Sequence, residues 1–397
     1  MRKIFDEEHE IFRDSVRSFM KNEIQPNSDR WHEAGIVDRE AFLKAGQQGL
    51  LLMWADEKYG GAGVPDFRYE QVLLEENARY GDAGFFMTLH SRLVAPYIGE
   101  LATDEQKARW LPKCISGEHI LAVAITEPGA GSDVAGIRTR AEDKGDHFLL
   151  NGSKTYISNG INADLIVVVA KTDPQSRHGL SLFVVERDMP GFERGRNLKK
   201  MGLKSQDTAE LFFNNVKVPK ENLLGDLHRG FYHLMHFLAE ERLLGAVGYL
   251  AAADTAFDLT MDYIRERKAF GQPIADFQNT RFRMADMRTE IDVAQAFVDQ
   301  CVEEHNRGAL TADNAAKAKL FTSELEGRVM DTCVQLHGGA GYMEEYAICR
   351  MYLNARVSRI YAGSSEVMRE IIARSVGLDP RRKERQGKDA AKQANAA

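Results

Sequence analysis

His119-Ile-Leu-Ala-Val-Ala-Ile-Thr-Glu-Pro-Gly-Ala-Gly-Ser-Asp133 is where the hydrophobic period of this chain changes. Before it the period is helical: Ile4, Phe5, Ile11, Phe12, Val16, Phe19 and Met20 fall on one face. Asp6, Glu7 and Glu8 sit where negative charge suits a helix start, and Pro26 is expected to stop that helix. Residues 68–80 and 104–116 repeat the helical character, so 1–118 reads as an all-helical domain. After the quoted stretch come short apolar, β-branched runs at 147–150, 165–170, 180–185 and 209–213. Asn151-Gly152, Asn159-Gly160, Pro190-Gly191 and Asn214-Asn215 punctuate them as turns, at the close spacing of an antiparallel β-barrel or sandwich over 119–228.

The helical period returns in long segments, about 231–268, 276–307, 313–337 and 354–375, joined by short Gly-containing connections. A C-terminal four-helix bundle over 229–378 is the expected result. The fold class is therefore α+β and multidomain, with a tail at 379–397 that lacks core residues and is expected to be mobile.

The 397 residues carry 52 Lys+Arg against 59 Asp+Glu, a net charge of −7, and 44% are hydrophobic, enough to bury several cores. No basic block precedes the tail, which excludes nucleic acid as a partner. Cys114, Cys301, Cys333 and Cys349 never reach C-x-x-C spacing and read as reduced core residues. The start has neither the apolar run of a signal peptide nor the acid-poor composition of a transit peptide, and no apolar run approaches the roughly 18 residues of a membrane span. A cytoplasmic chain is expected; a processed organellar form would read the same.

Nucleotide, zinc-protease and elbow-serine motifs are absent from the chain. His233 and His236 have a spacing that shares a helix face, but no third ligand joins them, and no metal is expected. Four segments stand out. In Ala124–Asp133, Thr126 and Ser132 offer hydroxyls, and Gly129 and Gly131 let a ligand approach; a tight turn is the plainer reading. In Lys154-Thr-Tyr-Ile-Ser-Asn-Gly160, Tyr156 and Ser158 share a face of an extended chain, an aromatic plate beside a hydroxyl, against the plainer strand ending in a turn. Glu266-Arg-Lys-Ala-Phe-Gly-Gln-Pro273 is a good helix stop, yet its cations could also hold a pyrophosphate. Gln335-Leu-His-Gly-Gly-Ala-Gly-Tyr342 carries more glycine than a stop requires.

In this order, over about residues 5 to 377, these segments resemble the acyl-CoA dehydrogenase family of flavoproteins, and residues 202–213 with 335–342 are most similar to its long-chain branch. The resemblance implies FAD between barrel and bundle. By position it assigns Thr126, Ser132, Tyr156 and Ser158 to the flavin and its ribityl or phosphate groups. Arg267 and Gln278 are assigned to the FAD of a neighbouring subunit, Gln335, Gly338 and Gly339 to its adenosine half, and Phe270 to the cofactor. Ser364 and Glu366 are further cofactor contacts, and Ser132, Tyr232, Arg242 and Gly363 substrate contacts. A homo-oligomer, in the form of a tetramer, an acyl-CoA substrate and an electron-transfer flavoprotein as electron acceptor follow from the same resemblance, as does a place in fatty acid β-oxidation.

The family's usual glutamate in I-Y-E-G-[ST] is absent: this chain reads Ile360-Tyr-Ala-Gly-Ser-Ser-Glu366. Leu238-Ala-Glu-Glu-Arg-Leu243 resembles the alternative position, with Glu241 as base and Arg242 against CoA. Two exposed carboxylates are the plainer reading of Glu240 and Glu241. Adjacent helical residues point about 100° apart, so only one can face the flavin, and Glu241 is the expected one. It would take the α-proton while the β-hydride passes to flavin N5, with the Ala362 backbone N–H on the thioester oxygen. Alternatives are an O2-using flavin oxidase or monooxygenase of the same fold, disfavoured by Glu241, or a non-catalytic acyl-CoA-binding relative.

Overall fold

The computed structural model describes residues 2–379, so the expected tail lies outside it apart from Asp379. Helix α1 (Glu7–Phe19) carries Glu7, Glu8 and Glu10 in its first turn, where carboxylates meet the positive helix end. Pro26 does not stop the helical path. The chain widens into a π-turn (Met20–Ile24), tightens into a 3-10 turn (Gln25–Asn27) and continues as α2 (Ser28–Ala34). Pro26 falls in a first helical turn, where its missing N–H is not needed. Helices α3 (Arg39–Gln47), α4 (Phe67–Tyr80), α5 (Ala95–Leu101) and α6 (Asp104–Ile115) complete this part. Of the expected apolar face, Ile4, Phe5, Val16, Phe19 and Met20 are buried, Phe12 partly so, and Ile11 is exposed.

Eight strands follow: β1 (Leu121–Ala124), β2 (Arg140–Asp143), β3 (His147–Ser158), β4 (Leu165–Lys171), β5 (Leu180–Glu186), β6 (Phe192–Asn197), β7 (Thr208–Pro219) and β8 (Leu223–Leu224). They form one sheet in the order β6-β7-β3-β2-β4-β5-β8, with β1 paired to β4. This corrects the expected barrel twice. Within the described residues the edge strands β6 and β8 do not pair, so the sheet is open, and β1 and β2 run parallel to β4. Hairpins force antiparallel neighbours, but β1 reaches β4 by the long excursion through β2 and β3, which permits a parallel pairing. The unbroken apolar runs of β4 and β5 are explained by burial on both faces. Val167, Val169, Leu182 and Val184 join the helical core, while Ile166, Val168, Phe183 and Val185 join Phe148, Leu211 and Val216 in a separate sheet core.

The C-terminal part is built on α7 (Gly230–Glu266), α8 (Gln278–Asn306) and α9 (Ala312–His337), with a small hairpin of β9 (Lys268–Ala269) and β10 (Gln272–Pro273) between the first two. The expected fourth helix at 354–375 is instead two short ones, α10 (Ala347–Ala355) and α11 (Ser365–Ser375), both packed on α9. A 3-10 turn (Arg356–Arg359) and a loop separate them, because Ala362 and Gly363 take φ of +51° and +92°. Among the described residues the four cysteines are buried and unpaired, and no helix is long and apolar enough to cross a membrane.

The loop between β6 and β7 docks the sheet on α10: Leu203 N–H donates to Asn354 Oδ1 at 2.6 Å, and a Cβ on Gly202 would lie 2.3 Å from the Leu353 carbonyl oxygen. Gly202→Ala is expected to push α10 from the sheet and lower stability by about 1–3 kcal/mol, the usual cost of overpacking. A calorimetric melting curve checks this; an unchanged midpoint would contradict it.

Candidate active site

The Gly-rich loop after β1 is held by a buried ion pair that the sequence reading did not single out. Lys154 Nζ donates to Glu127 Oε1 at 2.8 Å and to the Ile125 carbonyl at 2.9 Å. The same carboxylate accepts the N–H groups of Arg138 at 2.7 Å and Thr139 at 2.9 Å. Burial pushes the Glu127 carboxyl up, but the Lys154 charge and these donors outweigh it and hold it below its ordinary value. Burial brings Lys154 down to about 8 against the pull of Glu127, so both remain charged at neutral pH. Thr155 N–H donates to the Thr126 carbonyl at 2.9 Å, which seats the loop beside the end of β3.

Tyr156 does not sit on a regular extended chain as expected. It has φ +60° within a bulge, because Lys154 and Ile157 pair with Leu211 and Ala209, leaving two residues, Thr155 and Tyr156, opposite the single Glu210. The bulge turns the Tyr156 ring outward, 70% exposed, between buried Thr155 and Ile157, with Ser158 half-buried beyond it. The hydroxyls of Thr126, Ser132, Tyr156 and Ser158 make no hydrogen bond among the described residues. A Cβ on Gly129 or Gly131 would meet nothing within 4 Å. Free hydroxyls, an exposed aromatic plate and an open glycine face fit a flat cofactor with a polar edge and a ribityl chain.

A second group lies on α7 and the loop before α11. Glu241 is 8% exposed and its Oε1 accepts a hydrogen bond from Tyr97 Oη on α5 at 2.8 Å. Burial raises its carboxyl to about 7, opposed by the Tyr97 hydroxyl and the Arg242 charge. Glu240 faces elsewhere: its carboxylate lies 2.7 Å from Arg92 Nε and 2.9 Å from His305 Nε2. Arg242 is buried, and its Nε has no protein partner among the described residues. Lys319 on α9, fully buried, donates to the carbonyls of Ser358 and Gly363, both at 2.7 Å, and so clamps the two ends of the loop that carries Ala362. The Ala362 N–H has no acceptor among the described residues. Burial lowers the Lys319 ammonium to about 8, opposed by the charge of Glu324 and aided by that of Arg242. Ser364 caps α11 by accepting from Val367 N–H at 3.4 Å, and Glu366 stands exposed in the first turn. Tyr232 is half-exposed in the first turn of α7 under Arg229.

The third group surrounds a cleft of about 700 Å³ between the ends of α7, α8 and α9, lined by Arg267, Phe270, Gln335, Gly338 and Gly339. Gln278 opens α8 between the lining residues Phe277 and Asn279. Phe270 takes φ +51° at the tip of the β9–β10 hairpin and is 96% exposed, so this segment is more than a helix stop. None of Thr126, Ser132, Tyr156 or Ser158 lines this cleft. His233 and His236 part company: the first accepts from Asp226 N–H and the second meets Glu100.

Tyr97, Glu127 and Lys319 are the site neighbours that sequence reasoning missed. Each lies in a run that reads as ordinary helix or turn, and only the fold brings it to its partner.

The acyl-CoA dehydrogenase N-terminal, middle and C-terminal domain models match residues 6–118, 122–216 and 228–377. The mitochondrial long-chain specific acyl-CoA dehydrogenase of Mus musculus is 47% identical over 382 residues, 96% of this chain and 89% of that one. The crystal structure of an acyl-CoA dehydrogenase from Geobacillus kaustophilus is similar with a TM-score of 0.93 at 49% identity, covering 95% of this chain and 100% of that one. A glutaryl-CoA dehydrogenase from Mycobacterium smegmatis, solved in complex with FADH2, matches with a TM-score of 0.88 at 29% identity over 95% of this chain and 96% of that one.

Glu127→Gln leaves the Lys154 ammonium buried without its counter-charge, which is expected to cost about 3–5 kcal/mol and loosen the Gly-rich loop. The double change Glu127→Leu with Lys154→Met removes both charges and is expected to cost less than Glu127→Gln. Melting curves on the three proteins check the order; a double variant less stable than the single one would contradict the pairing.

Proposed function

The chain belongs to the acyl-CoA dehydrogenase family, oxidoreductases that act on acyl-CoA with FAD as cofactor, and on that premise we propose that it converts a long-chain acyl-CoA to the trans-2-enoyl thioester with Glu241 as the base. The observation that carries the base assignment is the contrast on α7. Glu240 has the Arg92 guanidinium and the His305 imidazole against its two carboxylate oxygens, whereas Glu241 is buried, accepts its one hydrogen bond among the described residues from a phenol, and is raised to about 7. A carboxylate titrating near neutrality is the right acceptor for a weakly acidic α-proton.

FAD bound along the Gly-rich loop and the bulged end of β3 supplies the acceptor for the β-hydride. The chain's own residues do the rest. Glu241 accepts the α-proton and loses its negative charge as charge moves onto the thioester oxygen. The Ala362 N–H donates to that oxygen, and a methyl side chain does not impair it. Arg242, buried with an Nε that has no partner among the described residues, is suited to the CoA moiety. Gly363 and Tyr232 complete the substrate contacts of this reading, with Ser132.

The similarity to a long-chain specific enzyme supports a long-chain substrate, and electrons would pass to an electron-transfer flavoprotein. We also read the chain as a homotetramer. The Arg267–Gln335 cleft is not lined by the Thr126 group, which suits residues that serve a neighbouring subunit's FAD, and Phe270, Phe282, Val293 and Tyr342 stand exposed on this part of the chain.

Glu241→Gln is expected to retain FAD and slow anaerobic flavin bleaching by a long-chain acyl-CoA about a thousandfold or more. Glu240→Gln is expected to bleach within about tenfold of the parent but to melt earlier, because it uncovers the Arg92 charge. The reverse pattern would contradict the assignment. A protein that reoxidises rapidly in air while turning over would favour the oxidase alternative.

Glu241 also predicts a pH signature of stability. Its folded value of about 7 exceeds the ordinary 4.5, so folding disfavours its ionisation: the penalty is absent below about 4.5, grows through the interval and is complete above about 7. Glu241→Gln is therefore expected to gain melting temperature over the parent at pH 8 and little at pH 4.5, measured by differential scanning fluorimetry. Equal differences at both pH values would contradict it.

A further inference from the structure

Tyr97 is fully buried on α5, between buried Pro96 and Ile98, and its ring packs on Phe237, one helical turn before Glu241, with centroids 4.3 Å apart and planes 43° apart. A phenol in such surroundings needs a partner, because an unbonded buried hydroxyl costs on the order of 1–3 kcal/mol. Its one partner is Glu241 Oε1 at 2.8 Å, and that is also the only hydrogen bond the Glu241 side chain makes among the described residues. The contact crosses from the N-terminal helices to the long α7. One carboxylate oxygen is thus fixed by a rigid aromatic donor, and Oε2 has no partner among the described residues.

Resting on the reading of Glu241 as the base, we infer that Tyr97 is a positioning residue: its phenol pins Oε1 so that Oε2 is the oxygen presented to the substrate's α-hydrogen. Three groups act on the charge of the carboxylate: the Tyr97 hydroxyl, which faces it from α5, and the charges of its chain neighbours Arg242 and Glu240 on α7. Of these the hydroxyl alone donates a hydrogen bond to it, favouring the ionised form that can accept a proton. The Tyr97 proton stays on its oxygen, since burial and the neighbouring Glu241 hold the phenol far above its ordinary range. The proton that moves is the substrate's, to Oε2.

The phenol therefore does two separable things. It holds the carboxylate in one rotamer, which matters at every pH, and it keeps the carboxylate ionised, which matters only near its titration. Tyr97→Phe deletes the hydroxyl and keeps the ring that packs on Phe237, so the fold is retained. The test is the pH dependence of the anaerobic flavin-bleaching rate with one saturating long-chain acyl-CoA in the parent, Tyr97→Phe and Glu241→Gln.

The midpoint of the rising limb is expected to move up by about one to two pH units in Tyr97→Phe, giving a loss of roughly five- to fiftyfold at pH 7 that shrinks at pH 9. 3-Fluorotyrosine placed at position 97 is a stronger donor and is expected to move the same limb down, a result that also serves if Tyr97→Phe were poorly folded. A limb that stays put in both Tyr97 proteins while Glu241→Gln is inert overturns the role of Tyr97 and leaves the base intact. Loss by one constant factor at all pH values with the limb unmoved overturns it too, since losing this hydrogen bond must move the titration whatever it does to the rotamer. Glu241→Gln bleaching at the parent rate overturns the base assignment, and the Tyr97 role with it.

Discussion

A carboxylate that must be dry enough to be basic and still able to ionise constrains everything around residue 241. Burial alone would leave it protonated, and a close cation would leave it too weak a base. Helix α7 resolves this by carrying two adjacent glutamates about 100° apart and giving them unlike surroundings. Glu240 turns toward the Arg92 guanidinium and the His305 imidazole, which burial keeps neutral, and Glu241 accepts its one hydrogen bond among the described residues from a hydroxyl. The N-terminal helices supply both sets of partners except His305, so their packing on α7 sets the chemistry of the site as well as covering its core.

The second constraint is the backbone of the loop before α11. Ala362 holds a left-handed conformation, which costs a residue with a Cβ about 1–2 kcal/mol. Gly363 holds one too, and a Cβ there would lie 2.5 Å from Met368 Cε. Lys319 offsets this cost by bridging the Ser358 and Gly363 carbonyls from a fully buried position. The clamp leaves the Ala362 N–H without an acceptor among the described residues while holding the loop on both sides of it. The Glu127–Lys154 pair acts likewise on the Gly-rich loop. In both places a buried lysine orders a loop whose hydrogen-bonding groups remain free for a ligand.

Much of this was legible in the sequence wherever a single strong period ran long. The bounds of α8 and α9, and the strands β4 and β5, emerge from hydrophobic runs close to where they were expected. Strands β2 and β6 were not legible: Arg140–Asp143 and Phe192–Asn197 are mostly polar and form by pairing with neighbours rather than by burying a face. The open edge of the sheet could not be read either, since turn spacing is the same for closed and open sheets. The helix expected at 354–375 fails at Ala362, where the loop is held by a lysine more than forty residues earlier. Glu241 stood out through its neighbourhood to Arg242 and the alanine at 362, but nothing in Val94–Ile98 distinguishes Tyr97 from core. Its hydroxyl becomes meaningful once α5 lies on α7.

Proton abstraction can be separated from hydride loss by a thioester that has acidic α-hydrogens but no β-hydrogen to give, such as an acyl-CoA with sulfur in the β position. Incubated with the FAD-loaded protein in D2O, its α-hydrogens are predicted to exchange for deuterium by NMR at a rate that rises through about pH 7, and Glu241→Gln is predicted to abolish the exchange while retaining FAD. Exchange at the parent rate in Glu241→Gln would show that another group removes the α-proton and would contradict the account at its centre.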